Sequence, residues 1–203
     1  MQKLIIKGKK KLLGSINISG SKNATLPILA ATLLADKIII LKNVPFVQDV
    51  HTMINLLKYI GLNIEISKKK NTIKISSDKK LKTVAPYKLL KTMRAGVLVL
   101  GPLLAKYKKA KVSLPGGCAI GTRPVNLHLF ALEKLGAKIK IKNGYIYASA
   151  KNGLKGAIIK FPTISVGATE NAILAAVTAK GKTIISNCAI EPEIQDMIVF
   201  LKK

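Results

Sequence analysis

Apolar and polar positions along the 203-residue chain change period in a fixed order. Residues 25–35 read T-L-P-I-L-A-A-T-L-L-A, nearly all apolar and mostly small, which predicts a helix buried on every side. Residues 37–41 follow as a short strand. Then V-P-F-V-Q-D-V at 44–50 leads into a helical pattern over 51–60, which stops at Gly61. Two alternating runs, 62–67 and 72–76, predict paired strands across the link K-K-K-N.

The same order returns twice. Residues 94–105 form a second small-residue helical run, 110–114 a strand, and 123–135 a helix that starts at R-P-V-N and stops at Gly136. The runs 137–141 and 145–149 then make a hairpin across K-N-G. A third helical run covers 168–179 and leads to a strand at 183–186, the string E-P-E-I-Q-D from Glu191 to Asp196, and the start of another helix. P-F-V-Q-D (Pro45 to Asp49) and P-E-I-Q-D (Pro192 to Asp196) match in phase. Ala35, Ala105 and Ala179 are spaced by 70 and 74 residues, and Gly61 and Gly136 by 75. The reading is an α/β chain of repeated βαβαββ units, helices gathered at the centre and sheets outside, an inside-out α/β barrel whose third unit is cut short. The units span about 21–80, 81–150 and 151–203, and residues 1–20 form an N-terminal strand ahead of them.

Composition narrows the function classes. The chain is 49% apolar, enough for a real core and against disorder. Its longest apolar runs fall short of the roughly 18 residues a membrane helix needs, and no secretory leader is expected from the N-terminus. With 35 Lys+Arg against 9 Asp+Glu the net charge is +26. The lysines stand in short scattered knots, with no interleaved aromatic residues and no nucleic-acid motif, so nucleic acid is not the expected partner and small anionic substrates are. Arg94 and Arg123 are the two arginines in a chain that otherwise uses lysine, which marks them as places where a bidentate fork is wanted.

The densest chemistry lies in V-S-L-P-G-G-C-A-I-G-T-R-P-V-N-L, residues 112–127. Pro115, Gly116, Gly117 and Gly121 suit a lid-like loop, Cys118 at its tip suits a reactive thiol, and Arg123 before Pro124 sits at a predicted helix start where anions are held. Cys188 reads as an ordinary buried thiol of a reducing, cytoplasmic setting. S-G-S-K-N (Ser19 to Asn23) opens the first repeat helix. There Gly20 allows close backbone approach and Ser21 can cap, while Lys22 and Asn23 either bind a ligand or are solvated. I-S-V-G-A-T (Ile164 to Thr169) offers a glycine turn at the same place in the third unit. His128 is either a pocket residue or an ordinary core or surface histidine. No metal-ligand spacing, Walker A loop, Rossmann fingerprint or Ser-His-Asp set occurs, and no cofactor is expected.

Taken in order, S-K-N-A-T-L-P, K-T-M-R-A, P-G-G-C-A-I-G-T-R-P-V, S-V-G-A-T and E-P-E-I-Q-D resemble the UDP-N-acetylglucosamine 1-carboxyvinyltransferase family of enolpyruvyl transferases, along essentially the whole chain. The cysteine loop separates that family from the sister 3-phosphoshikimate 1-carboxyvinyltransferases. The resemblance implies transfer of the enolpyruvyl group of phosphoenolpyruvate to the 3-hydroxyl of UDP-N-acetylglucosamine, the first committed step of peptidoglycan precursor synthesis in the cytoplasm, with the cell-shape and cell-division role that step carries. It implies catalytic roles for Cys118 as proton donor and for Lys22 and Arg123. It further implies substrate contacts at Lys22, Asn23, Arg94, Arg123, Pro124, Val125, Asn126, Leu127, Thr163, Ile164, Ser165 and Val166. Asn126 stands where the family commonly has Asp, and Thr163 where Lys is common. Family members are about twice as long, and their second domain supplies the base and packs against the N-terminal strand; the expectation is therefore an N-terminal half whose residues 1–20 lack their partner, weakly active or inactive without a separate chain carrying that domain. The alternatives are a non-catalytic fragment that binds nucleotide-sugar or polyanions, and a 3-phosphoshikimate-type enzyme.

Overall fold

The computed structural model describes residues 3–9, 11–77, 80–116 and 125–203. The first unit runs α1 (Lys22–Ala31), a 3-10 turn Thr32–Leu34, β1 (Ile39–Leu41), α2 (Gln48–Ile60), β2 (Asn63–Ser67) and β3 (Thr72–Ser76). The second adds a leading strand β4 (Val84–Ala85) and short α3 (Tyr87–Leu90). Its core helix is a 3-10 segment Arg94–Val99 continued by α4 (Leu100–Tyr107), then β5 (Lys109–Ser113), α5 (Asn126–Lys134), β6 (Lys138–Lys142) and β7 (Tyr145–Ser149). The third runs β8 (Ile158–Lys160), α6 (Val166–Ala176), β9 (Ile184–Ser186) and α7 (Pro192–Leu201).

The sheets repeat one topology. β1, β3 and β2 lie in that order, all antiparallel, and β5, β7 and β6 copy the arrangement with β4 added parallel to β5. β8 pairs parallel with β9 as β4 does with β5. The helix pattern predicted over 51–60 starts three residues earlier, at Gln48, and both stop signals hold, with Gly61 at φ 125° and Gly136 at φ 91°.

Helices occupy the centre. α1 packs on α2 and α7, α4 on α6, and α5 on α6. A small-residue cluster of Ala30, Ala31, Leu98, Leu174 and Met197 joins α1, the 3-10 segment, α6 and α7, while the main core fills the space between helices and sheets. The described residues of 3–18 join no sheet, and Leu4, Ile6, Leu12, Leu13, Ile16 and Ile18 are more than three-quarters exposed. An edge strand gains nothing from alternation unless another strand takes its backbone groups, and no described strand does so.

The second unit departs from one expectation. Residues 94–105 do not form one continuous α-helix, and the cause is Asn171 of α6. Its side-chain NH2 donates to the Val97 carbonyl (3.1 Å) and its Oδ1 accepts the Gly101 N–H (2.7 Å), so the amide takes the place of the direct Gly101-to-Val97 bond. Pro102 has no N–H for the carbonyl of Leu98. An inserted side chain and a proline together account for the 3-10 geometry. Gly101 is required at this crossing, because a Cβ there would meet the Asn171 carbonyl oxygen at 2.7 Å.

Candidate active site

Three helix starts define the site. At α1, the Ala24 N–H donates to Ser21 Oγ (3.3 Å) and the Thr25 hydroxyl donates to the Ser21 carbonyl (2.7 Å). At α6 the same pair recurs: the Ala168 N–H donates to Ser165 Oγ (3.4 Å) and the Thr169 hydroxyl to the Ser165 carbonyl (2.8 Å). The internal match is therefore S-K-N-A-T with S-V-G-A-T, cap on cap. The expected glycine turn in the third unit is absent. Gly167 is the second helical residue, and Ser165 terminates the helix in its stead. The 3-10 segment of the second unit begins at Arg94 with no side-chain cap. Gly20, just ahead of the first cap, lies so close to the Asn43 carbonyl that a side chain would not fit.

These starts open onto one cleft of about 450 Å³. Asn23, Leu26 and Pro27 line it from α1, Arg94 and Ala95 from the 3-10 segment, and His128 from α5. Ser165, Val166, Gly167 and Glu170 line it from α6, and Glu193 from α7. Four of the expected contact residues, Asn23, Arg94, Ser165 and Val166, thus share one wall. Lys22 stands beside them, its Nζ 3.0 Å from Asp49 Oδ2 at the start of α2, in a half-exposed ion pair. The others divide. Val125 is buried beneath the start of α5, Asn126 is exposed and Leu127 partly buried there, and Thr163 and Ile164 are exposed; none of these five lines the cleft. Cys118, Arg123 and Pro124 lie outside the described residues, with Gly117 and Gly121.

Two titratable groups in the cleft are displaced from their ordinary behaviour. Burial, reinforced by the Arg94 charge, lowers His128 to about 4, so its ring is neutral at physiological pH. Burial, then the nearby Glu193 and Glu191 carboxylates, pushes Glu170 up to about 8, so it is largely a neutral acid near pH 7. Glu170 occupies the place that Leu26 holds in the first unit, and, counted back from Gly136 and Gly61, His128 the place of the buried Met53. Counting back eight residues from each helix-stopping glycine, which sets His128 against Met53, was the signal that could have placed His128 on the inward face of its helix. Among the described residues no group of three or more His, Cys, Asp or Glu is arranged to hold a metal, and no helix is long and apolar enough to cross a membrane. Cys188 is partly buried, its Sγ 3.8 Å from the Ile185 carbonyl.

Repeated α/β units with helices inside, sheets outside and polar side chains gathered at the helix starts are the fold of the enolpyruvyl transferases. The solved enolpyruvyl transferase NikO from Streptomyces tendae superposes with a TM-score of 0.81 over 96% of this chain and 45% of its own length, at 17% identity. EPSP synthase from Acinetobacter baumannii does so with 0.71, over 90% and 42%, at 16% identity.

The family model for EPSP synthase (3-phosphoshikimate 1-carboxyvinyltransferase) matches residues 6–203, and the chain belongs to that family. Curated relatives include UDP-N-acetylglucosamine 1-carboxyvinyltransferases. That of Pelagibacter ubique is 65% identical over 201 residues, covering 99% of this chain and 48% of the relative. Those of Endomicrobium trichonymphae and Acinetobacter baylyi are 56% and 53% identical, each again covered over 48% of its length. The chain spans about half the length of the curated relatives it matches.

Proposed function

We propose that this chain forms the nucleotide-sugar-binding half of a UDP-N-acetylglucosamine 1-carboxyvinyltransferase. The observation that carries the reading is the meeting of three helix starts, with Asn23, Arg94 and Ser165, in one cleft. Helix N-termini direct N–H groups and positive dipole ends at a ligand, and Arg94 adds a fork suited to phosphate. The relatives' names supply the substrate, UDP-N-acetylglucosamine, and phosphoenolpyruvate is the donor their reaction class implies.

In this reading Lys22, held by Asp49 before substrate binds, swings to the carboxylate or phosphate of phosphoenolpyruvate, and Arg123 supports it. Cys118 protonates the methylene carbon of the enolpyruvyl group as the sugar 3-hydroxyl, giving its proton to the second domain's base, adds to the neighbouring carbon. Loss of a proton from the resulting methyl group to a base then re-forms the double bond and expels phosphate. Pro124, Val125, Asn126 and Leu127 make the uridine-side wall and Thr163 and Ile164 the outer lip. Residues 1–20, whose described apolar side chains face solvent, contact a second repeat domain that carries the hydroxyl-deprotonating base. Peptidoglycan precursor synthesis in the cytoplasm is the corresponding cellular place.

The test measures phosphate released from phosphoenolpyruvate. The expected result is negligible release by the chain alone and release dependent on UDP-N-acetylglucosamine once a chain carrying the second domain is added. Release with shikimate 3-phosphate in place of the nucleotide-sugar would assign the sister activity.

One observation favours a second reading, polyanion binding. Sheet pairing sets Tyr147 of β7 between Lys111 of β5 and Lys140 of β6, and Lys109 and Lys138 line the same shallow 450 Å³ depression. The strands bring together the aromatic and basic residues that the linear sequence keeps apart. Salt-sensitive retention on DNA without UDP-sugar binding would support it.

A further inference from the structure

His128 is tied into the fold through Asn171, whose hydrogen bonds leave one arrangement of both side chains. Asn171 is fully buried. Its Oδ1 accepts the Gly101 N–H, so its nitrogen must be the atom that faces the Val97 carbonyl and, at 3.1 Å, His128 Nδ1. An NH2 group has two protons, one for each of these partners. Nδ1 therefore presents its lone pair, and the single ring proton sits on Nε2. Protonating Nδ1 would set N–H against N–H inside the core.

The far edge of the ring meets the start of α6. A Cβ on Gly167 would lie 3.2 Å from His128 Cε1 and 3.4 Å from Nε2, so the absence of a side chain at Gly167 lets that edge reach the cleft. Among the described residues none accepts a hydrogen bond from Nε2. The charged or titratable groups around the ring are Arg94 on the 3-10 segment, Glu170 on α6 and Glu193 on α7; α1 contributes the uncharged Asn23.

The geometry points to His128 as a ligand-binding residue that donates its Nε2–H to an oxygen of the nucleotide-sugar in the cleft, with Asn171 as the positioning residue that fixes its tautomer. This deepens the function proposed above and rests on it. Arg94 supplies charge to the ligand; His128 supplies direction without charge, since a second cation beside Arg94 would be repelled. Asn171 also bridges Val97 and Gly101, so the same side chain that breaks the second unit's helix aims the ring. One amide thereby couples elements of two repeat units at the cleft.

The chain has two histidines, which makes the test direct. Long-range 1H–15N correlation on the imidazole-labelled 203-residue chain should show His128 as a pure Nε2–H tautomer, unchanged from pH 8 to 5.5. A Nδ1–H tautomer, or titration near the ordinary histidine range, overturns the assignment. Adding UDP-N-acetylglucosamine should shift His128 Nε2 together with the Asn23 and Gly167 amides. Shifts at those amides with Nε2 unmoved overturn the role of His128 alone; no shift at any of them overturns the nucleotide-sugar reading and this proposal with it. H128A should weaken binding about ten-fold, while H128Q, whose amide nitrogen can stand near Nε2, should keep it within about three-fold. N171A should release the tautomer and let the ring titrate closer to its ordinary value, a change that a purely structural asparagine would not produce.

Discussion

The starts of α1 and α6 are the same device put to two uses. Both have a serine N-cap, a threonine four residues on that bonds back to the cap carbonyl, and an alanine between them. What differs are the positions that face the cleft or a neighbouring helix. Lys22 and Asn23 of the first unit become Val166 and Gly167 in the third, Leu26 becomes Glu170, and Pro27 becomes Asn171. The first unit sets a polar side chain, Asn23, in the cleft wall. The third removes side chains so that another helix's histidine can approach, and buries the amide that aims it. Capping fixes where a helix begins at a cost of two hydrogen bonds' worth of sequence, which leaves the next residues free to vary. Repetition supplies the scaffold, and divergence at a few cleft positions supplies the chemistry.

If Asn171 and its glycine partner are what set the third unit apart, crowding that contact has the largest effect. Gly101→Ala drives a methyl group into the Asn171 carbonyl and should destabilise the chain by about 3 kcal/mol in urea unfolding, because neither backbone can yield. The next difference is Glu170 against Leu26. A carboxyl with its folded pKa raised to about 8 binds more protons folded than unfolded between pH 4.5 and 8, so its contribution to stability is lost as pH rises through that window. His128, lowered to about 4, acts oppositely, its contribution being lost as pH falls from 6.5 through 4. Between pH 6.5 and 8 the Glu170 loss outweighs the last of the His128 gain, and wild type should lose about 1 kcal/mol net. Glu170→Gln should flatten that slope; an unchanged slope would assign it to other groups.

The shared device gives a smaller and symmetric effect. Ser21→Ala and Ser165→Ala should each cost about 1 kcal/mol, and equal costs would show that the two caps do the same work. A large inequality would mean that the units are alike in sequence but not in energetics. Smallest is the Lys22–Asp49 pair, both side chains more than a third exposed. Asp49→Ala should change stability by no more than about 0.5 kcal/mol, measured by the same unfolding curves, because solvent screens the pair.

The repeat was legible because each unit marks its phase with residues that have one structural use: small apolar runs for the central helices, Gly61 and Gly136 for left-handed helix stops, and the P-x-(V/I)-Q-D string. Helix–strand order, both hairpins and the Ser21 cap follow from local chemistry of that kind. The break in the second central helix was not legible, since it depends on Asn171, seventy residues from the glycine it contacts. The cleft was legible in outline through Asn23, Arg94, Ser165 and Val166. Glu170 was missed, because a glutamate on an otherwise apolar helix has no distinguishing neighbour in the sequence, and Glu193 because the P-E-I-Q-D string that holds it reads as a mark of the repeat and not as a cleft wall. His128 was left undecided for a similar reason: burial and ligand access look alike until the packing partner is known. Thr163 and Ile164 precede the cap and point outward, which sequence spacing alone does not distinguish from Ser165 and Val166.

Calorimetric titration of UDP-N-acetylglucosamine into wild type and into Asn23→Ala, Arg94→Ala and Val166→Glu tests the shared cleft most directly, since each substitution sits on a different repeat unit. The account predicts that all three weaken binding at least ten-fold while the folded state persists, as judged by unchanged circular dichroism. Wild-type affinity in all three variants would contradict it.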